Sequence, residues 1–388
     1  MTAIAVTLLA ASALHAAAPD PAAQVRVAFD TRHIGKVAVS GLADRATGRR
    51  VTADDPVRIA SVSKLFVALG VMRLVEAGKL DLDRDVSAYL GWTLRNPSYP
   101  DVPITLRMLL SHTSGLRDDA DYAIPLGDTV RARVADPRAW DVEHRTGSWF
   151  HYTNLNFPVV ASVMEAATGE RFDMLMARLV LKPLKLDACF NWTTCSDAKV
   201  ARAVVLYGAD GVVQRDDLRG KRPDCPVVAT GVCDLSTYKP GDNGALFSPQ
   251  GGLRISMRDL ARIGQMLLRR GDGFLKPASV AQMTRTQWVF DGGNGDTENG
   301  FHCSYGLAVM MTATARPGTP APECRDDPFG DGSPRIGHAG EAYGLRSGLW
   351  IDPKSGRGVA FFATALPDDA PKGRSAFTAA EETIIQSK

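Results

Sequence analysis

Apolar and polar residues alternate in "VRVAFD" (residues 25–30) and "GKVAVSGLADRATGRRVT" (35–52). A period of two predicts strands, the second broken by a turn at Thr47-Gly48. The pattern changes in "SVSKLFVALGVMRLVEAGKL" (61–80), where apolar residues occupy almost every helical face. That predicts a buried helix with Gly78 as its C-terminal stop. Further helices are expected at "TLRMLLSHTSGL" (105–116), "FPVVASVMEAATG" (157–169), "FDMLMARLVLKPL" (172–184) and "SMRDLARIGQMLLRRG" (256–271). The last has apolar residues at 257, 260, 263, 266 and 267, the spacing of a one-sided helix. "YGLRSGLWIDPKSGRGVAFFATAL" (343–366) reads as two strands around a Pro-Lys-Ser-Gly turn, with a closing helix from about 374 to 386.

Strands at both ends and helices between them imply an α/β (α+β) fold. The expected architecture is an antiparallel sheet flanked by helices and built from both chain ends. Residues 25–85 and 335–388 would form the sheet subdomain. Residues 86–334 would form a mostly helical one, with Cys-bearing insertions at about 189–249 and 291–334. Those insertions lack periodicity and are too long for simple connectors.

Composition narrows the class. A chain of 388 residues with 45% hydrophobic and 23% charged content is globular in type. Its net charge of +2 comes from 45 basic and 43 acidic residues, mixed along the chain without a basic run. Nucleic acid is therefore not an expected partner. Ile4 to about Leu14 is apolar, and Ala16 and Ala18 fit a small-x-small cleavage site, although no Lys or Arg precedes them. Residues 1–18 are read as a signal peptide and the protein as periplasmic or secreted. Nothing else approaches the roughly 20 apolar residues of a membrane span, and the oligomeric state is open. The cysteines, Cys189, Cys195, Cys225, Cys233, Cys303 and Cys324, suit disulfides in that compartment. Sequential pairing would close three short loops, but other connectivities remain possible. No C-x-x-C or neighbouring histidine cluster suggests zinc.

Candidate chemistry begins at Ser61 and Lys64. A serine hydroxyl needs a base within hydrogen-bond reach, and helical positions i and i+3 share a face. The first turn also offers free N–H groups where negative charge develops. Ser63 lacks that relation to Lys64. A lysine acts as a base only if burial or another cation lowers its pKa, and the apolar helix makes burial plausible. Otherwise a charged Lys64 would lower the pKa of a second group. "FHYTNLNF" offers Tyr152, with Asn154 on the same side of an extended segment. Ser196 and Lys199 repeat the S-x-x-K spacing inside a polar loop and are read as coincidence. His112 is read as a loop histidine, and His151 as pointing away from Tyr152.

S-x-x-K, then Y-x-N about 90 residues later, then [KH]-x-G on a late strand resemble the three motifs of the serine penicillin-recognising enzymes. The class C β-lactamase-like branch fits best, a group that includes DD-peptidases, D-aminopeptidases and esterases. "ITLRMLLSHTSGL", "SPQGGLRISMRDLARIGQMLL" and "GLWIDPKSG" are similar to that branch over roughly residues 38 to 366. The resemblance implies a β-lactamase/transpeptidase-like fold and places the third motif at His338-Ala339-Gly340. Lys354-Ser355-Gly356 falls between two strands as a turn. Ser61 would attack a carbonyl, with Lys64 and Tyr152 managing its proton and Tyr152 or His338 assisting deacylation. Which of Lys64, Tyr152 and His338 is the main base stays open. Backbone N–H groups of Ser61 and Glu341 would form the oxyanion hole. Asn154, Gly340 and Arg346 are the expected substrate-binding residues, and no metal or organic cofactor is required.

His338 and Ala339 depart from the usual lysine and hydroxyl residue of the motif. The expected substrates are therefore small esters, amides or D-amino-acid peptides ahead of β-lactams. A true β-lactamase is the alternative activity. A slow or non-catalytic acyl-binding sensor is the alternative of another class.

Overall fold

The computed structural model describes residues 23–314 and 323–387. The proposed leader, with Ala16 and Ala18, lies outside the described residues. In chain order the strands are β1 Ala23–Asp30, β2 Ile34–Asp44, β3 Arg49–Arg50, β4 Val57–Arg58, β5 Cys189–Phe190, β6 Leu206–Tyr207 and β7 Val213–Arg215. They continue with β8 Leu253–Ile255, β9 Trp288–Val289, β10 Ser304–Tyr305, β11 Met310–Thr312, β12 Arg335–Ala342, β13 Leu345–Asp352 and β14 Arg357–Ala363. The main sheet runs β3-β2-β1-β14-β13-β12-β11-β10-β9. The two chain ends meet at its centre, where β1 pairs antiparallel with β14 from Gln24↔Ala363 to Asp30↔Arg357. Three short strands from the stretch expected to be mostly helical, β9 to β11, extend one edge.

Alternation along the central strands explains how both faces are covered. Leu349, Ile351, Ala360 and Phe362 join one core with Leu260 and Ile263 of the helix Met257–Leu268. Their neighbours Trp350, Val359 and Phe361 join a second core with Phe377, Ile384 and Ile385. The period of two thus splits each strand between two hydrophobic layers. Gly264 allows the first helix to settle closely, since a Cβ there would fall 2.2 Å from the Phe29 ring.

Local signals set the element ends. Gly78 adopts φ +65° just beyond the helix Ser63–Glu76, hereafter α1, and its N–H donates to the Val75 carbonyl. Thr105 accepts from the Met108 N–H and opens the helix Leu106–Leu110. Ser256 accepts from the Asp259 N–H and opens Met257–Leu268. The closing helix begins at Ala379 rather than near 374, because Thr378 and Glu381 form a reciprocal capping box there.

Two smaller features position the cleft. A three-stranded sheet ordered β4-β8-β5 holds the chain just ahead of α1. Disulfides join Cys189–Cys195, Cys225–Cys233 and Cys303–Cys324, the sequential pairing. The β6–β7 hairpin lies between the first two of these loops. Among the described residues, no helix is long and apolar enough to cross a membrane.

Candidate active site

Ser61 sits two residues ahead of α1, in the 3-10 turn Ala60–Val62 that leads into it. In a 3-10 turn, residues three apart eclipse one another. Lys64 is therefore held against Ser61, with Nζ 2.9 Å from Oγ. Ala60, immediately before the serine, has φ +44°, a left-handed conformation that is strained for a residue with a Cβ. Neighbouring strands fix this entry. Ser347 on β13 donates to the Ile59 carbonyl at 2.9 Å. Ser63, the rival hydroxyl, is buried and accepts from the Leu253 N–H.

Lys64 is fully buried. Beyond Ser61 its amine contacts Asn154 Oδ1 at 2.8 Å and the Gln250 carbonyl at 3.0 Å. Those acceptors are neutral, and Nζ also lies 4.8 Å from the centre of the Tyr152 ring. Burial lowers the Lys64 pKa to about 7, opposed by the more distant charges of Asp118 and Glu298. The amine is thus poised to lose a proton near neutrality. The Tyr152 hydroxyl hydrogen-bonds Ser61, yet burial pushes the phenol above its ordinary value.

Asp118 holds the Y-x-N segment in place. Its carboxylate accepts from the Thr153 hydroxyl, the Asn154 and Leu155 N–H groups and the Asn154 side-chain amide, over 2.5–3.0 Å. By taking the Asn154 Nδ2, it turns Oδ1 of the same amide toward Lys64. The Tyr152 ring is sandwiched between His112 at 4.4 Å and His302 at 4.6 Å. His112 lies in the turn after the helix Leu106–Leu110. It is buried, has φ +58°, and its Nδ1 meets the Thr153 N–H and the Asn156 amide.

The third motif follows the expected order but not the expected chemistry. Gly340 stands beside the nucleophile, where a Cβ would meet the Ile59 carbonyl at 2.4 Å and the Ser61 nitrogen at 3.2 Å. β11 pairs with β12 only from Arg335 to Gly337, so that edge of β12 is open beside Glu341. His338 is buried with both ring nitrogens engaged. Nδ1 meets the Ala339 carbonyl at 2.5 Å, and Nε2 lies 2.7 Å from the Tyr305 hydroxyl. Nδ1 must donate to a carbonyl, which leaves Nε2 to accept from Tyr305. Burial, reinforced by the charge of Lys64, lowers its pKa to about 3. A pKa of about 3 makes the neutral imidazole a much weaker base than Lys64, so the expected acid–base role of His338 has less to rest on than that of the amine.

Other expectations separate from the site. Arg346 is buried, bonded to Glu341 at 2.8 Å and to the Asp368 carbonyl, and is not part of the cleft lining. Its expected role as a substrate anchor has no free guanidinium to rest on. Lys354 occupies an exposed turn capped by Asp352. Ser196 caps the short helix Asp197–Val200, while Lys199 bonds the Asp54 carbonyl. His151 lies 3.7 Å from Asp296.

Ser61 opens into a cleft of about 660 Å³, walled by Asn154, Gln250, Glu341 and the Cys-bearing segment 191–228. Sequence comparison decides the family: a profile described as Beta-lactamase matches residues 19–382. The chain belongs to the beta-lactamase family. Members of this family are serine hydrolases, which agrees with the penicillin-recognising resemblance of the three motifs. Esterase EstB of Burkholderia gladioli is 29% identical over 299 residues, covering 72% of this chain and 73% of that protein. Penicillin-binding protein 4 of Amycolatopsis lactamdurans is 33% identical over 150 residues, but these are 38% of this chain and 39% of that protein. In fold, the chain is similar to a D-amino acid amidase from Ochrobactrum anthropi SV3, with TM-score 0.66, 18% identity and coverage of 94% and 92%. It is also similar to an octameric penicillin-binding protein homologue from Pyrococcus abyssi, with TM-score 0.65, 20% identity and coverage of 89% and 71%.

Proposed function

We propose that this beta-lactamase family member is an exported acyl-hydrolase that works through an acyl-Ser61 intermediate on small esters or D-amino-acid amides. The contact between the Lys64 amine and the Ser61 hydroxyl carries the reading, because the amine is buried among neutral acceptors. Neutral Lys64 takes the Ser61 proton as Oγ attacks the carbonyl. Tyr152 stays protonated and hydrogen-bonds Ser61, relaying the proton toward the leaving group. The Ser61 and Glu341 N–H groups hold the oxyanion. Water then attacks the acyl-enzyme, activated by Lys64 rather than by His338. Similarity to an esterase across most of the chain favours esters, and the Ala339 replacement disfavours efficient β-lactam hydrolysis. Export rests on the disulfides and the leader-like residues 1–18.

Steady-state hydrolysis of 4-nitrophenyl butyrate tests this reading. Wild type should turn over continuously, Ser61→Ala should lose at least roughly 10³-fold, and nitrocefin should be a poor substrate. A single stoichiometric burst without turnover would favour the acyl-binding sensor, and efficient nitrocefin hydrolysis a true β-lactamase.

A further inference from the structure

The far wall of the cleft holds two guanidinium groups without an ionic partner among the described residues. Arg58 lies on β4, is 9% exposed, and its buried Nε has no hydrogen-bond partner among the described residues. Arg215 lies on β7, at the exposed lip of the same cleft. Their guanidinium carbons flank one ring, that of Tyr343, at 5.1 Å and 4.9 Å. Neither forms a salt bridge among the described residues. The nearby carboxylate, Asp216, is already engaged. It receives Arg254 at 2.8 Å and 3.2 Å and the Trp192 indole N–H at 2.9 Å. Arg254 and Asp216 pair with each other, which leaves Arg58 and Arg215 with no carboxylate at ion-pair distance among the described residues.

A buried charge needs a partner, and two like charges on one ring add repulsion. The pKa of Arg58 falls to about 10, mainly through burial and then through Arg254, which leaves it cationic at neutral pH. Burial resists ionisation of Tyr343, but Arg58 and Arg215 outweigh it and draw the phenol below its usual value. Arg58 is thus a buried cation that lines the cleft with its Nε unbonded among the described residues.

We propose that Arg58 and Arg215 form a carboxylate subsite, so that the substrates hydrolysed at Ser61 carry an anionic group at one end. This deepens the acyl-hydrolase reading and rests on it. A planar guanidinium matches a carboxylate in two parallel hydrogen bonds, and Arg215 at the lip can close over it. Asp121, Asp217 and Glu341 also line the cleft, with Asp217 paired to Arg219 and Glu341 to Arg346, so a single carboxylate fits better than a more highly charged ligand. Arg58 precedes Ser61 by three residues, so their Cα atoms are at most roughly 11 Å apart. That span suits a short dicarboxylic half-ester.

Three 4-nitrophenyl or related esters test the subsite: the neutral butyrate, the glutarate half-ester with its carboxylate on the acyl part, and 4-carboxyphenyl butyrate with it on the leaving part. Wild type should prefer one anionic ester to the neutral one by about ten- to hundredfold in kcat/KM. Arg58→Met should remove most of that ratio, Arg58→Lys should keep part of it, and Arg215→Ala should lower it. Free glutarate should inhibit butyrate hydrolysis competitively in wild type, a readout independent of any variant's folding. Butyrate hydrolysis with no anionic preference and no inhibition by glutarate would overturn the subsite alone. Absence of hydrolysis of all three esters together with unlabelled Ser61 would overturn the reading beneath it.

Discussion

At the residue scale, the chemistry depends on one amine losing its proton where water is excluded. With the Lys64 pKa brought to about 7, the base is half formed near neutrality. kcat/KM for a neutral ester should therefore rise with pH to a plateau, with an acidic limb near pH 7. Lys64→Met should abolish that limb and cost about 10²–10⁴-fold in kcat. Asp118 raises the Lys64 pKa and orients the Asn154 amide. Asp118→Asn should move the limb to lower pH and reduce kcat, whereas a purely structural Asp118 would leave the limb in place. His338 accepts from the Tyr305 hydroxyl, and the Tyr305 ring packs edge-on to Tyr152. His338→Ala should lower turnover about tenfold without moving the pH limb, and Lys354→Ala should leave turnover nearly unchanged. A greater loss from Lys354→Ala would place the third motif on the wrong segment.

At the element scale, strand and helix ends bring distant segments to one point. The 3-10 turn supplies Ser61, the Asp118 clamp supplies Tyr152 and Asn154, and β12 supplies Gly340. Gly340→Ala should test this convergence, because the added methyl lies 2.4 Å from the Ile59 carbonyl on the turn. Overpacking of this kind costs about 1–3 kcal/mol, and the shift should fall on the nucleophile. Activity should drop more than thermal stability; equal losses would mean β12 only packs. These three contributions were readable from short motifs because each is local in sequence. Asp118 was not, since it resembles a surface carboxylate in "RDD" until residues 153–155 fold onto it. Arg58 was hidden for the same reason, its isolation being a property of what Asp216 does elsewhere. His338 lies on a late strand, but its neutrality comes from burial and the charge of Lys64, which the motif does not encode.

At the scale of the whole molecule, the sheet built from both chain ends was readable from period-two strands at each end. The edge strands β9 to β11 were not, being two or three residues long inside irregular sequence. The disulfides secure that irregular part. Cys303–Cys324 closes a loop of 21 residues, which the chain-entropy model values at about 3 kcal/mol. Reduction should lower the melting temperature, and Cys225→Ser with Cys233→Ser should alter KM more than kcat, because that loop lines the cleft. An unchanged KM would show that the insertion is only structural.

The proposed acylation of Ser61, activated by Lys64, joins these scales. Acid-quenched wild-type protein mixed with 4-nitrophenyl butyrate, examined by intact mass spectrometry and peptide mapping, tests it most directly. One butyryl group is expected on the peptide that contains Ser61, and no adduct in Ser61→Ala. An adduct on Ser63 or another residue, or labelling that persists in Ser61→Ala, would contradict it.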